Sequence, residues 1–186
     1  MVLGSGAPAD PPLTEEGHAQ AKLLAAAIAD GAYGRVTAVV TSTMRRAIET
    51  GEPLAEALGV TAATEESIVE LDDGWTSYGV GVEDYPSREA AWAAMDAGWW
   101  GANSFDPVAF RRRVRDGMDA VAAGHPGGAV AVVCHGGVIS AYLAEVLGTE
   151  RTVFFSPDYC SVSRVLVEPG YRELISANET LHMRLP

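Results

Sequence analysis

This 186-residue sequence holds only Cys134 and Cys160 as cysteines, too few for a disulfide framework and consistent with a reducing cytoplasm. It has four histidines, and neither they nor the cysteines fall at metal-ligand spacing, so no metal is expected. No apolar run reaches membrane-spanning length and no signal peptide opens the chain, so no membrane partner is expected. Positive charge is scarce. Thirteen Lys and Arg stand against twenty-five Asp and Glu, for a formal net charge of -12 and a pI near 4.6. That balance argues against a nucleic-acid partner, while still permitting a local positive pocket inside an acidic molecule. No repeat, low-complexity tract or interdomain linker interrupts the chain. With 48% apolar residues it is long enough to bury a substantial core, and the expectation is a single domain over 1–186.

What is present is a pair of strand-turn-helix segments. The apolar stretch Ala129 to Cys134 stops at His135, Gly136 and Gly137 and continues as a helix-like run from Val138 to Leu147. It reads as a buried strand that delivers an imidazole to the start of a helix, where glycine lets backbone amides approach a ligand closely. An oxyanion fits such a place; a histidine that merely ends a strand is the plainer alternative. In the second segment, β-prone Thr37 to Val40 leads into Thr41, Ser42 and Thr43, hydroxyl N-cap candidates for a helix over 43–58. Ala47, Gly51, Leu54 and Leu58 form its core stripe, which puts Arg46 beside the buried edge where its guanidinium can fork onto phosphate oxygens. Pro53 should kink or break this helix.

Around these segments, Thr14 caps a helix to about Asp30, with Glu15 and Glu16 near its positive end. Val60 to Ala63 is a short strand candidate. Residues 72–106 carry all four tryptophans among glycines and prolines and read as a lid or substrate-facing insertion; its helix, Glu89 to Ala97, has Trp92, Trp99 and Trp100 as its cover. Residues 108–123 form an amphipathic helix with Phe110, Val114, Met118 and Val121 inward and Arg111, Arg112 and Arg115 on a solvated face. Ser161 to Val167 and Glu173 to Ser176, split by Pro169-Gly170, form a closing hairpin. The pattern is a three-layer α/β sandwich: a mainly parallel sheet, helices on both faces, a helical insertion, and a ligand at the C-terminal strand ends.

Taken together, Asp10 to Ala21 with its Pro-Leu-Thr, Gly and Gln-Ala, the Ser, Arg-Ala and Thr of Ser42 to Thr50, His135-Gly136, and the Asn178 to His182 ending resemble the histidine phosphatase, or phosphoglycerate mutase-like, superfamily across nearly the whole chain. The resemblance implies a cofactor-independent phosphatase acting on a small phosphomonoester through a phosphohistidine, with mutase activity less favoured, and a small phosphorylated substrate or inorganic phosphate as partner. It makes Arg46 a phosphate-binding arginine, in preference to Arg45, and His135 the second pocket histidine, donating to the transferred phosphoryl group. It places the acid/base carboxylate in Ile68 to Asp72, with Glu70 favoured and Asp72 and Asp73 as competitors. The family's first strand ends in Arg-His-Gly, whose histidine accepts the phosphoryl group. That triplet is missing here, where the chain opens Met1, Val2, Leu3. His18, in the first helix, His125, before a Pro-Gly-Gly turn, and His182, in the tail, do not replace it. The expectation is that the DNA immediately upstream encodes this segment in frame. The other class of reading is a catalytically silent phosphate-binding or assembly protein.

Overall fold

The computed structural model describes residues 10–75 and 79–184. The expectations that rest on Met1 to Leu3, and the part of the insertion at 76–78, lie outside them. The elements are α1 (Glu15–Ala29), β1 (Val36–Ser42), α2 (Arg45–Leu58), β2 (Ala63–Glu65), α3 (Arg88–Asp96), β3 (Trp99–Trp100), β4 (Asn103–Ser104), α4 (Pro107–Gly124), β5 (Ala129–Val133), α5 (Gly136–Leu147), β6 (Val162–Glu168) and β7 (Tyr171–Glu179). Short 3-10 turns sit at Glu66–Ile68, Val82–Asp84 and Leu181–Arg184.

The central sheet is parallel, in the order β2-β1-β5. Side chains alternate across it as the pleat requires. Val39, Ala131 and Val133 join Leu24, Ile28 and Leu54 of α1 and α2 in one cluster. Val40, Val130 and Val132 join Phe110, Val114, Val138 and Ala141 of α4 and α5 in another. Two helical layers therefore cover one sheet, and the loops at its carboxyl ends, after Ser42 and Val133, open on the same side. β6 and β7 form an antiparallel hairpin. Val162 packs into the first cluster and Val165 into the second, so the hairpin closes against both layers.

Several elements form for the expected reasons. The Thr14 side chain accepts the Gly17 N–H at 3.1 Å and caps α1, and Asp106 accepts from Val108 and Ala109 at the start of α4. Others depart. β2 begins at Ala63, because Val60 and Ala62 bury themselves in the α1–α2 cluster before the chain reaches pairing register. Thr41, Ser42 and Thr43 do not cap α2; its N-cap is Met44, without a side-chain bond, and the Arg45 amide donates instead to the distant Asp10 carboxylate at 2.9 Å. Pro53 forfeits one N–H yet leaves α2 continuous from Arg45 to Leu58, since Leu54 beside it is almost fully buried. Trp92 is buried and Trp100 stacks on Tyr85, but Trp99 is half exposed. Arg111 is not on a solvated face: it is held by Glu145 with its side chain only 18% exposed. No helix among the described residues is long and apolar enough to cross a membrane.

Candidate active site

Two strand ends and one turn make the site. Ser42 closes β1, and His135 stands at the N-cap position of α5, two residues beyond the end of β5, without a side-chain capping bond. Because β1 and β5 are parallel neighbours, residues far apart in sequence meet there: His135 Nε2 lies 2.8 Å from Ser42 Oγ in a buried contact. Ser42 Oγ also accepts the Met44 N–H at 3.3 Å. The imidazole is 6% exposed. Burial, then the positive charges of Arg46 and Arg113, push its pKa down to about 3, so the ring is neutral at physiological pH.

Arg46 stands in the first turn of α2, its side chain 13% exposed. Its Nη2 donates to Asp72 Oδ1 at 2.9 Å, and Nη1 lies 3.5 Å from Asp10 Oδ1. Two carboxylates thus steer one guanidinium. Arg45 points away; it is mostly exposed and pairs with Glu49. Glu49 also accepts the Leu13 N–H at 2.7 Å, which ties the segment ahead of α1 to α2.

The three candidate carboxylates separate. Glu70 accepts the Gly137 N–H on Oε2 and the Leu71 N–H on Oε1, both at 2.8 Å, which sets it at the mouth of α5. Burial raises its pKa to about 6, against the lowering effect of those two amides. A Cβ at Gly137 would run into that same carboxylate, so the close approach needs glycine. Asp72 is occupied by Arg46, and burial raises its pKa in spite of that partner. Asp73 is exposed.

The remaining histidines are elsewhere. His18 is half exposed, 3.9 Å from Glu49, and His125 Nδ1 lies 2.8 Å from the Val121 carbonyl. His182 is more than tail: it is buried, 2.5 Å from the Tyr33 hydroxyl and 2.9 Å from the Cys160 carbonyl. Cys134, beside His135, is partly buried, and desolvation pushes its thiol up to about 12, so it has no thiolate character.

Sequence reasoning missed three contributors. Asp10 gave no local sign of reaching Arg46. Ser42 read as a helix cap. Arg113 donates to the Ser67 and Val69 carbonyls at 2.8 and 2.9 Å, anchoring the turn that leads to Glu70, and packs over the Phe110 ring. Its spacing of three from Phe110 was the available signal, since i and i+3 share a helix face.

A parallel sheet covered by helices, with an arginine, a histidine and carboxylates gathered where the strands end, places the molecule among α/β proteins whose ligand sites lie at the carboxyl ends of the strands. The chain belongs to the histidine phosphatase superfamily (branch 1), which residues 4–180 match. It is 28% identical over 181 residues to phosphoserine phosphatase 1 of Hydrogenobacter thermophilus, covering 94% of this chain and 83% of that protein. It is 34% identical over 131 residues, 68% of its length, to a bifunctional protein of Mycobacterium tuberculosis, of whose length the match spans 35%. Among solved structures, a mycobacterial glucosyl-3-phosphoglycerate phosphatase in complex with VO3 superposes with a TM-score of 0.75 at 23% identity, covering 96% of this chain and 91% of that one. A mutant phosphoserine phosphatase of Entamoeba histolytica in complex with phosphoserine gives 0.77 at 19% identity, covering 95% and 88%. The structural likenesses speak for the fold.

Proposed function

We propose that the chain is a phosphatase-type domain over 1–186, with 72–106 as an insertion, that takes a small phosphomonoester at Arg46 and His135. The observation that carries this reading is the convergence of a steered guanidinium, a neutral imidazole and a carboxyl of raised pKa at the carboxyl ends of β1 and β5. Phosphoryl transfer asks for donors around the equatorial oxygens and an acid for the departing alkoxide. In this reading Arg46 and His135 supply the donors. Glu70, with a pKa of about 6, supplies the proton, and a bound phosphate dianion raises that pKa further. Relatives named for phosphoserine and glucosyl-3-phosphoglycerate support a small phosphorylated substrate.

The covalent step of a phosphohistidine route needs an accepting imidazole in line with the leaving group, which Arg-His-Gly supplies in the family. The sequence contains no such triplet, and that favours a second reading in which the 186-residue chain binds phosphate without turnover. The experiment that separates the two is hydrolysis of p-nitrophenyl phosphate combined with trapping of acid-labile phosphohistidine. Oxyanion binding with negligible turnover and no trapped phosphate is expected of the chain as given. Robust turnover with phosphate on His18, His125 or His182 would overturn the assignment of roles, and phosphate on His135 would reverse that residue's part.

A further inference from the structure

The chain between α5 and β6 doubles back over the first turns of α5. The Phe154 and Phe155 N–H groups donate to the buried Ser140 Oγ at 3.0 and 3.4 Å, and the Pro157 ring lies 3.7 Å from the Cβ position of Gly136, next to His135. Glu70 takes the following amide, the Gly137 N–H. The His135–Gly137 stretch is thus held by two groups from elsewhere in the chain, Glu70 and Pro157. Successive glycines have no side chains with which to fix their own backbone, so these outside contacts decide how the stretch stands.

Two side chains beyond the hairpin's midpoint pin the far end of this loop, and the backbone takes uncommon conformations to bring them there. Between the pairs Val162–Glu179 and Arg164–Ser176, Ser163 on β6 faces both Ala177 and Asn178 on β7. At that bulge Asn178 turns left-handed, with φ 54°, which Asn tolerates better than most residues. So aimed, its Oδ1 accepts the Asp158 N–H at 2.8 Å and its Nδ2 donates to Asp158 Oδ2 at 3.0 Å, directly after Pro157. Cys160 is left-handed too, with φ 53°, a conformation that a residue with a side chain keeps only where its surroundings impose it. Its carbonyl accepts from His182 Nε2 at 2.9 Å. A carbonyl can only accept, so Nε2 carries the ring proton and Nδ1 accepts the Tyr33 hydroxyl, 2.5 Å away. The His182 ring is 3% exposed, fixed between the loop and Tyr33. From this we infer that Asn178 and His182 are positioning residues for the anion site: by pinning Asp158 and Cys160 they keep Pro157 on Gly136 and so set the α5 amides and His135 for an oxyanion, a role that rests on the phosphate reading of Arg46 and His135. They act through the loop and not on the ligand.

The test is calorimetric titration of the 186-residue chain with inorganic phosphate, beside nitrogen NMR of the Gly136 amide and the His135 ring. Asn178→Gly keeps the left-handed backbone without strain and removes the hold on Asp158, so stability should stay or rise. Phosphate binding should nevertheless weaken roughly threefold to tenfold, what re-ordering one loosened segment costs on binding, and the Gly136 and His135 signals should move. His182→Ala should do the same at lower stability. His182→Gln, whose amide can again donate to the Cys160 carbonyl, should recover most of the affinity. Tyr33→Phe is the control for stability alone: it removes the hydroxyl that Nδ1 accepts and leaves the His182–Cys160 bond, so the protein should unfold more easily with phosphate affinity and both signals unchanged. Unmoved Gly136 and His135 signals in Asn178→Gly overturn the positioning role whatever the affinity does, and moved signals with wild-type affinity overturn its bearing on the anion. A loss that is equal in Tyr33→Phe and His182→Ala follows stability and overturns the part of His182, as does a His182→Gln variant no better than His182→Ala. If His182→Ala does not fold, Asn178→Gly and His182→Gln decide. If the wild type binds no phosphate, the reading of Arg46 and His135 fails by itself, and the Gly136 and His135 signals still decide whether the loop positions them.

Discussion

Ser42 Oγ and His135 Nε2 stand 2.8 Å apart, and the same Ser42 oxygen receives the Met44 amide. A serine at the end of one strand thereby holds the imidazole delivered by its neighbour. With its pKa near 3 the ring carries a single N–H, so this contact selects which nitrogen remains to face a ligand. Ser42→Ala should leave Nε2 buried without its partner, at a cost of about 1–3 kcal/mol in denaturant unfolding. Nitrogen NMR should show one neutral tautomer of His135 in the wild type and a mixture in the variant. An unchanged spectrum would remove Ser42 from this role.

Arg46→Ala should weaken phosphate or vanadate binding roughly tenfold or more, the equivalent of a charge-assisted hydrogen bond of about 1.5–3 kcal/mol. Arg46→Lys keeps the charge but not the fork that meets Asp72, and should recover only part of the loss. Calorimetric titration returning equal affinity for the wild type and both variants would disprove the assignment.

Gly137→Ala should destabilise the protein by about 1–3 kcal/mol, because the added methyl displaces Glu70 from the α5 amide and crowds Leu71. Gly136→Ala is the control: its Cβ position meets only Pro157, at ordinary contact distance. Chemical denaturation of both variants checks the contrast, and equal midpoints would contradict the close approach.

The pH dependence of stability should carry two opposing signatures. Glu70 is raised from 4.5 to about 6, so between those values the folded state holds the extra proton, and this contribution falls as pH rises. His135 is lowered from 6.5 to about 3, so between those values the unfolded state holds the extra proton, and this contribution is lost as pH falls. Between about pH 4.5 and 6 the two slopes largely cancel. Glu70→Gln removes one of them, and its stability should then rise with pH across that window by about 1.4 kcal/mol per unit. Unfolding curves collected at several pH values distinguish the slopes, and a variant with the flat wild-type profile would show that the two groups are not so perturbed.

Local sequence was enough to set the main helices and strands and the two delivery points. Alternating or continuous apolar runs ending in Ser42 and in His135-Gly136-Gly137 encode strands that stop where helices begin, because pleat and helix periods are properties of a few consecutive residues. The core stripe of α2 likewise put Arg46 beside the buried edge by spacing, while its preference over Arg45 came from the family resemblance. What those side chains meet was settled by packing. Ser42 and His135 are 93 residues apart, Glu70 and Gly137 67 apart, and Arg46 and Asp72 26 apart. No helical or strand period reaches such distances; parallel pairing of β1 with β5 and the turn after β2 do. The resemblance favoured Glu70 over its competitors Asp72 and Asp73, but only packing set Glu70 on the α5 amide and Asp72 on a guanidinium. The same packing turned His182 from a tail residue into a buried partner of Tyr33, because its burial comes from α1 and the loop after α5, which the local sequence around it does not contain.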